Sequence, residues 1–420
     1  MKNRLLAIAL VLALLISCVP GGVLAEGTQT NQDSLMTIEE ETTQPVVVPA
    51  PHSHSAAHIC EDCESETVNW LPWSDPNSLP GDSNHYYLTC DVTVTWRRSV
   101  KNGNDVVLCL NGYTISADDK LAIIDVNHPD SSLVISDCTA YTDAEGNYHA
   151  GQLVHSRDAN VGAVYVVNGL FAMYGGKLTN NSNTQTSSAA GWSGGAIHGR
   201  NNARIELKNV ELSDNTSTAE GGAVCLRDKA TASFENVTFR NNHADRAGGA
   251  IYLTTADNDI TLKDCIFENN TSGTTGGAIY TNEADVTAEN CIFKTNRAAS
   301  HGGAVYAYGG KLNVTGSTMQ GNRAAEGGAI RLAVNAQAVL TDSSLTENHA
   351  TTSGGAVFAR DAKLTIKNST VTKNTSDGAA GAIGFSNESS VLTLESGEIS
   401  GNTRQPRQPA AFWCRARHPL

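Results

Sequence analysis

The region between Gly194 and Asn402 repeats one pattern eight times, and this repetition restricts the fold more than any other feature of the chain. Each unit opens with two glycines, an alanine and an aliphatic residue, and it closes with an apolar residue three positions before an asparagine. Successive units are 25 to 28 residues apart. The openings are Gly194, Gly221, Gly248, Gly276, Gly302, Gly327, Gly354 and a degenerate copy at Ala380-Gly381. A repeat this short predicts one array of stacked units.

Within a unit, apolar side chains alternate in three places. In the unit that begins at Gly248 the pairs are Ile251/Leu253, Ile260/Leu262 and Cys265/Phe267, which predicts three short strands with inward-facing side chains. The second turn carries residue types that enter left-handed backbone space or fold onto the local backbone. These residues are Asn209, Asn236, Asp264, Asn290, Gly316, Asp342, Asn368 and Ser396. One such coil buries too little to be stable alone, so we expect an all-β parallel β-helix.

The closing asparagines recur once per coil, and stacked coils lie about 4.8 Å apart. We expect a ladder in which each side-chain amide bonds the next, with a structural role. Its predicted members are Asn215, Asn242, Asn270, Asn296, Asn322, Asn348 and Asn374.

The N-terminus has the features of a secretion signal over residues 1–25. A basic start is followed by the apolar run from Leu5 to Ile16, which is short for a bilayer span, and Val23-Leu24-Ala25 is the favoured cleavage site. Cys18 offers an alternative as the acylated cysteine of a lipoprotein. No second apolar stretch follows, so we expect a mature chain without a transmembrane segment.

Residues 26–66 are predicted to be a low-complexity linker. The linker contains one CxxC pair with upstream histidines, a composition that suits Zn²⁺, although no second cysteine pair follows closely. A flexible polar segment or a local disulfide is the favoured interpretation. The residues concerned are His52, His54, His58, Cys60 and Cys63.

Three further regions follow. Residues 67–160 contain three of the five tryptophans and several apolar strands, and we interpret them as an N-terminal cap with irregular first coils. Residues 161–402 are predicted to be the regular repeats, which gives about nine to eleven coils in all. Residues 403–420 fit neither a coil nor an obvious cap. We interpret this arginine-containing tail as a truncated or frame-shifted end of a longer array.

The serial motif resembles the repeat of the polymorphic outer membrane proteins, within the wider class of right-handed parallel β-helix surface proteins. The resemblance rests on the Gly-Gly-Ala-aliphatic openings and on closings such as Phe239-Arg240-Asn241-Asn242, and it covers 162–402. It implies a right-handed helix with a pectin lyase-like fold, exposure at a bacterial cell surface and an adhesin role. Members of that family also carry a C-terminal membrane barrel, which this sequence does not show.

The residue after each Gly-Gly-Ala-aliphatic motif should leave the coil interior, because the aliphatic side chain points inward. This row comprises Tyr165, His198, Cys225, Tyr252, Tyr280, Tyr306, Arg331 and Phe358. Tyr252, Tyr280 and Tyr306 are consecutive and should form an exposed aromatic stripe, which can bind a sugar or a protein partner. Ring stacking that only stabilises the surface is the structural alternative. Arg331 is expected to be an exposed ion-pair partner.

A carbohydrate-active β-helix protein is the alternative function: a pectate lyase-like or other polysaccharide lyase, a glycosidase-like enzyme or a polysaccharide-binding module. Acid–base catalysis of glycoside cleavage needs two carboxylates that face one cleft. The row contains no Asp or Glu, so catalytic residues are not expected. Acidic side chains in the first turn offer a possible Ca²⁺ site, with solvated loop acids as the favoured interpretation. They are Asp228, Asp257, Asp259, Glu283 and Asp285.

Cysteines and charge complete the sequence-based picture. Cys265 and Cys291 share one inward position, where apolar packing is favoured over a vertical disulfide. Cys90, Cys109 and Cys138 can pair in the N-terminal region, but spacing does not fix the connectivity. The net charge of -14 argues against nucleic acid as a partner. We therefore expect a secreted or cell-surface binding protein whose partner is an extracellular glycan or protein.

Overall fold

The computed structural model describes residues 70–404, apart from 74, 76, 96–97, 101–102, 118–121, 156–158 and 187–192, together with 408–409 and 412–414. Four sheets of stacked short strands form a right-handed parallel β-helix of about 11 turns, as predicted. The predicted signal segment, the linker and the CxxC pair lie outside the described residues. Within the described residues no helix is long and apolar enough to span a bilayer.

Sheets I and II are built from the first two strands of each coil. The strands of sheet I are Arg98–Val100, Ile124–Val126, Val164–Val167, Ile197–Arg200, Val224–Leu226, Ile251–Leu253, Ile279–Asn282, Val305–Tyr308, Ile330–Ala333, Val357–Arg360, Ile383–Ser386 and Phe412–Cys414. The strands of sheet II are Leu71–Trp73, His85–Leu88, Asp105–Cys109, Ser132–Ser136, Leu170–Tyr174, Arg204–Lys208, Thr231–Glu235, Ile260–Lys263, Val286–Glu289, Lys311–Thr315, Gln337–Thr341, Lys363–Lys367 and Val391–Leu394.

Sheets III and IV complete each coil. The strands of sheet III are Val92–Val94, Thr114–Ala117, Gln152–His155, Lys177–Thr179, Glu211–Ser213, Thr238–Arg240, Ile266–Glu268, Ile292–Lys294, Thr318–Gln320, Ser344–Thr346, Ser369–Thr372 and Gly397–Ser400. The strands of sheet IV are Ser182–Asn183, Thr216–Ser217, His243–Ala244, Thr271–Ser272, Arg297–Ala298, Arg323–Glu326, His349–Ser353, Thr375–Ser376, Thr403–Arg404 and Gln408–Pro409. The sequence pattern predicted three strands per coil and missed sheet IV, because its strands are mostly two residues long.

The core is a column of inward side chains that stack on their counterparts in the next coil. The rings of Phe239, Phe267 and Phe293 stack with centroids 4.7 Å apart at each step and nearly parallel planes. All three rings are buried. Each ring therefore contacts apolar partners above and below, which a single isolated coil cannot supply.

The turn residues and glycine pairs have separate physical roles. Asn236 and Asp264, between sheets II and III, adopt φ of 52° and 54° in left-handed space. The first glycine of a pair, such as Gly248, also has positive φ, at 68°. A Cβ on the second glycine, Gly249, would overlap the carbonyl oxygen of Gly277 in the next coil. The glycine pair thus permits a tight turn and a close approach of stacked backbones.

The buried asparagines at the ends of the sheet III strands form a continuous ladder. Nδ2 of Asn242 donates to Oδ1 of Asn270 at 2.9 Å and to the carbonyl of Leu212 at 2.9 Å. The backbone N–H of Asn242 donates to the same Oδ1 at 3.1 Å. The same bonds link Asn181, Asn215, Asn242, Asn270, Asn296, Asn322, Asn348, Asn374 and Asn402. Both hydrogens and both lone pairs of an interior amide are therefore used.

The N-terminal region belongs to the same stack. Leu71–Trp73 pairs in parallel with His85–Leu88, and Asp105–Cys109 continues the same sheet. An antiparallel hairpin of Tyr141–Thr142 and Tyr148–His149 interrupts the coils. The structure thus places strands of sheets I, II and III between residues 67 and 160.

Part of the tail also continues the array. Phe412–Cys414 pairs in parallel with Ile383–Ser386 as the last strand of sheet I, and Thr403–Arg404 pairs antiparallel with Gln408–Pro409. The expectation that this segment fits no coil is therefore wrong for residues 412–414. Sequence periodicity did not show it because no glycine pair marks this strand.

Candidate ligand-binding site

Sheet I brings the three predicted tyrosines into one column. Its register pairs Tyr252 with Tyr280 and Tyr280 with Tyr306 in consecutive coils. The rings of Tyr252 and Tyr280 lie 4.9 Å apart with planes inclined by 12°, whereas Tyr306 meets Tyr280 edge-on at 5.4 Å. Tyr308 extends the aromatic surface 6.3 Å beyond Tyr306. We call Tyr252, Tyr280 and Tyr306 the tyrosine stripe.

The rest of the row is more deeply buried than the sequence suggested. Tyr165, His198, Cys225, Arg331 and Phe358 are all buried, and the three tyrosines of the stripe are half-buried. The segment before each glycine pair folds over this face, as shown by the 2.7 Å contact between His198 Nδ1 and the carbonyl of Ser193. The expectation of an exposed Arg331 is therefore wrong, and the stripe that was expected to be exposed is half-buried.

The orientation of the rings changes what the stripe can bind. Because Tyr252 and Tyr280 stack along the helix axis, they use their faces on each other and leave ring edges and hydroxyls for a ligand. Ring edges carry the positive end of the aromatic quadrupole. Burial, with Glu220 nearby, raises the pKa of Tyr252 to about 12, and burial also raises the pKa values of Tyr280 and Tyr306. The hydroxyls therefore remain protonated donors at neutral pH.

An ion cluster borders the stripe at the end nearer the N-terminus. Glu220, whose side chain is 8% exposed, accepts Arg246 Nη1 at 3.2 Å and Arg227 Nη2 at 3.4 Å. The Ser193 hydroxyl donates to the same carboxylate at 3.1 Å. The Arg227 guanidinium also lies 5.9 Å from the ring centre of Tyr252. One carboxylate here faces two guanidinium groups.

A second cluster borders the other end of the stripe. Arg331 Nε lies 3.0 Å from Glu326, and His301 Nε2 lies 3.5 Å from the same carboxylate. The Arg331 guanidinium packs 4.8 Å from the ring centre of Phe358 and 5.9 Å from that of Tyr306. Burial lowers the pKa values of Arg331 and His301. Arg331 is thus a buried ion-pair partner that positions the last ring.

The predicted acidic residues lie at the turn after sheet I. Asp228 lies 3.6 Å from Arg200, and Asp285 binds Lys311 through both the backbone N–H at 2.8 Å and Nζ at 3.2 Å. Glu283 adopts a left-handed φ of 63°. Across the part of the chain that the structure describes, no three His, Cys, Asp or Glu side chains form a group that could hold a metal ion. The structure therefore does not bring together Asp228, Asp257, Asp259, Glu283 and Asp285 as a Ca²⁺ site.

The same column of sheet I holds one carboxylate outside the row that was defined from the sequence. Asp125 pairs in register with Tyr165, one coil before the row begins, and accepts the Ser99 hydroxyl at 3.0 Å. It was missed because its coil has no glycine pair to mark the position. A single buried carboxylate does not supply the facing pair that glycoside hydrolysis requires.

Glu220 and Glu326 were also missed, although the sequence carries a signal for them. Each directly precedes a glycine pair, where the other coils have Ser, Ala, Thr or His. Their arginine partners Arg227 and Arg331 stand at different distances along the chain from their own glycines. No periodic pattern therefore connects each acid with its base.

A polar recess lies beneath the hairpin of Tyr141–Thr142 and Tyr148–His149. It has a volume of about 370 Å³ and is lined by Tyr148, Lys177, Asn209, Glu211 and Arg240, among others. The Tyr148 hydroxyl donates to the carbonyl of Asn209 at 2.8 Å and accepts the Gly176 N–H at 3.0 Å. These bonds anchor the hairpin to the coils.

The cysteines are distributed between core and edge. Cys265 and Cys291 are buried in adjacent coils and are both free thiols, so the structure contains no disulfide between them. Cys109 and Cys138 lie close together, with 3.1 Å between their sulfur atoms. Proximity therefore selects these two from the three N-terminal cysteines that the sequence left open.

The stacked parallel sheets and the asparagine ladder define the chain as a right-handed parallel β-helix repeat protein. The family model described as a right-handed β-helix region matches residues 165–316 and 272–396, which together span more than half of the chain. The chain belongs to this family. No curated protein matches it at a significant level.

Proposed function

We propose that this chain is an extracellular binding protein of adhesin type that recognises an acidic glycan along the tyrosine stripe. The arrangement of Tyr252, Tyr280 and Tyr306 between two arginine-containing clusters carries the proposal. It offers a row of hydroxyl donors and positive ring edges, with guanidinium groups at both ends. Carboxylate or sulfate groups of a polysaccharide complement such a surface.

The local charge supports an anionic ligand despite the negative charge of the whole chain. In the first cluster Arg227 and Arg246 face the single carboxylate of Glu220, and the Arg246 side chain is 52% exposed. Near the second cluster, Arg360 is exposed. Burial raises the pKa of Tyr306, and the positive charge of Arg360 opposes this effect, which shows that the guanidinium lies near the stripe. The exposed guanidinium groups of Arg246 and Arg360, at the two ends of the tyrosine stripe, can therefore draw a polyanion to this face of an acidic protein.

Two expectations from the sequence support this role. The predicted secretion signal over residues 1–25 and the resemblance of the repeats to those of polymorphic outer membrane proteins both favour a secreted or surface-held protein. The long regular face of the β-helix suits a chain-like ligand, since equivalent groups recur about every 4.8 Å along it.

The test is a glycan array that includes acidic and neutral polysaccharides. The key variant carries Tyr252→Phe, Tyr280→Phe and Tyr306→Phe, which removes three hydroxyls and keeps the rings. We expect at least about tenfold weaker binding to acidic glycans, because each hydroxyl hydrogen bond contributes about 1 kcal/mol. Tyr141→Phe is the matched control, since Tyr141 is 58% exposed and lies on the hairpin.

Several results would contradict the proposal. Undiminished binding by the triple variant would make the stripe structural, and loss of binding on Tyr148→Ala alone would move the site to the hairpin recess. Binding to neutral glycans only, or to a protein only, would reject the acidic ligand. New reducing or unsaturated ends on the polysaccharide would establish the alternative function, a carbohydrate-active enzyme.

A further inference from the structure

Sheet IV carries two stacked arginines that lack an acidic partner. Arg297 and Arg323 occupy equivalent positions in consecutive coils, and the register pairs one directly with the other. Both side chains are exposed. Within the residues that the structure describes, neither guanidinium has a carboxylate within ion-pair distance. Two like charges on neighbouring strands destabilise a sheet, so this pair needs an explanation.

Two other outward columns of the helix show how cations are normally neutralised in this protein. On sheet II, Glu235 lies 3.6 Å from Lys208 in the coil before it and 3.3 Å from Lys263 in the coil after it. On sheet III, Glu268 lies between two cations in the same way, at 3.4 Å from each. Sheet IV breaks this alternation of charge where the two arginines stack.

The asparagine ladder holds the backbones of both arginines in place. Arg297 directly follows Asn296, Arg323 directly follows Asn322, and the amide of Asn296 donates to Oδ1 of Asn322 at 3.0 Å. The backbone N–H of Arg297 donates to the carbonyl of Asn270 at 2.9 Å. Two guanidinium groups therefore extend from rigid strands about 4.8 Å apart. An anion that binds both has to order only the two side chains.

The residues around the pair do not neutralise it. Thr271 precedes the pair in the same column and carries no charge. His349 follows the pair, and its Nε2 lies 3.2 Å from Asp377. Glu326 is the acidic residue on the strand of the second arginine, and it lies 3.0 Å from Arg331. Both of these carboxylates therefore have a partner of their own.

We propose that Arg297 and Arg323 bind a sulfate or phosphate monoester group of a polysaccharide. A guanidinium presents a planar fork of N–H donors that matches two oxygens of such a group. A monoester of sulfate or phosphate has three free oxygens, so two can face one guanidinium while the third accepts from the stacked one. A carboxylate has only two oxygens, and one fork uses both. The site should therefore prefer either ester to a carboxylate.

This inference shares with the proposed function only the class of ligand, a glycan, because the arginine pair lies on sheet IV and the tyrosine stripe on sheet I. The test measures binding of the full chain to a matched series of dextrans by isothermal titration calorimetry. The polymers carry sulfate, phosphate or carboxymethyl groups at the same degree of substitution. We expect at least about tenfold tighter binding of one or both ester polymers than of the carboxymethyl polymer. The sulfate and phosphate arms show which ester is preferred.

Two variants separate recognition by the guanidinium forks from attraction by charge. Arg297→Lys/Arg323→Lys keeps both charges and removes both forks, and we expect at least about tenfold weaker binding of the ester polymers. The control Arg204→Gln/Lys363→Gln removes two exposed cations from sheet II and should keep most of the affinity. All four side chains are exposed, so the variants are expected to fold.

The arginine variant is also measured together with Tyr252→Phe, Tyr280→Phe and Tyr306→Phe. The same loss with and without these three changes is expected, and it would support the arginine pair even if the tyrosine stripe binds nothing. A loss that disappears in the combined variant would overturn a separate site. Undiminished binding by the lysine variant, an equal loss in the control, or equal binding of the carboxymethyl polymer would also overturn the proposal.

Discussion

The side-chain amide of Asn270 donates to Oδ1 of Asn296 at 3.0 Å, and both side chains are completely buried. The same amide donates to the carbonyl of Phe239 at 2.9 Å, and its oxygen accepts two N–H groups of Asn242. One side chain therefore satisfies polar groups in the coil before it and in the coil after it. Because these groups are buried, none of them can form a hydrogen bond to water in its place when the amide is removed.

Replacement of an interior ladder residue should be costly. We expect Asn270→Ala to lower the free energy of unfolding by about 3 kcal/mol or more, because at least two buried polar groups lose partners at about 1–3 kcal/mol each. Urea unfolding followed by circular dichroism measures the change. Asn269→Gly is the matched control, since Asn269 is exposed and adopts a left-handed φ of 56°. Equal losses for both variants would refute a special role for the ladder.

The ion pair of Arg331 and Glu326 should show strong coupling. Arg331→Met leaves the carboxylate of Glu326 partly buried without its closest cation, which costs about 3 kcal/mol by comparison with other buried pairs. The double variant Arg331→Met/Glu326→Gln should recover much of this loss, because both charges are then absent. A double-mutant cycle in urea measures the coupling, and additive losses would contradict it.

Stability should fall in mild acid because of His198. Burial lowers the pKa of its imidazole to about 3, below the ordinary value of 6.5. Below pH 6.5 the unfolded chain binds a proton that the folded chain does not, so stability rises with pH through this window and is constant for this group above it. The slope from one such group is up to about 1.4 kcal/mol per pH unit between about 6.5 and 3.

The variant His198→Phe isolates this contribution, since a ring at this position keeps the stacking on Tyr165, which lies 5.3 Å away. We expect a shallower loss of stability between pH 6.5 and 4 than in the wild-type chain. Identical slopes for the two proteins would show that His198 does not titrate on unfolding.

The reactivity of the core thiols gives a further prediction. Cys225 is completely buried, and burial raises its pKa to about 11. We expect it to resist alkylation by iodoacetamide in the native protein and to react after unfolding, because the thiolate is the reactive form. Peptide mass spectrometry resolves each cysteine, with the partly exposed Cys90 as the native-state comparison. Rapid native labelling of Cys225 would mean that this coil opens.

The sequence alone predicted the structural features for which every coil uses the same residue type at the same position. The left-handed turn at Asn236, the glycine pair at Gly248 and the ladder at Asn242 each depend on a local requirement that repeats with the coil. Each stacked coil repeats the same turn, glycine pair and ladder residue. The repeats of one sequence therefore support the fold assignment independently of one another.

The site was less predictable because its determinants are not periodic. Burial of Arg331 depends on Glu326, five residues earlier, and on Phe358 in the following coil. The stacking of Tyr252 on Tyr280, which takes their faces away from a ligand, depends on side-chain rotation rather than on register. The proximity of Cys109 to Cys138 required the alignment of two irregular coils without glycine pairs.

The self-complementary ladder also bears on how such a protein changes in size. Since each asparagine presents the same donors and acceptors to the coil before it and the coil after it, a duplicated or deleted coil leaves the remaining ladder contacts chemically intact. A gene segment that encodes one coil, about 26 codons, is then the unit by which the length of the protein can change. Each added coil would lengthen the β-helix by about 4.8 Å. Recombination between repeats can therefore change the length of the molecule while the ladder is kept.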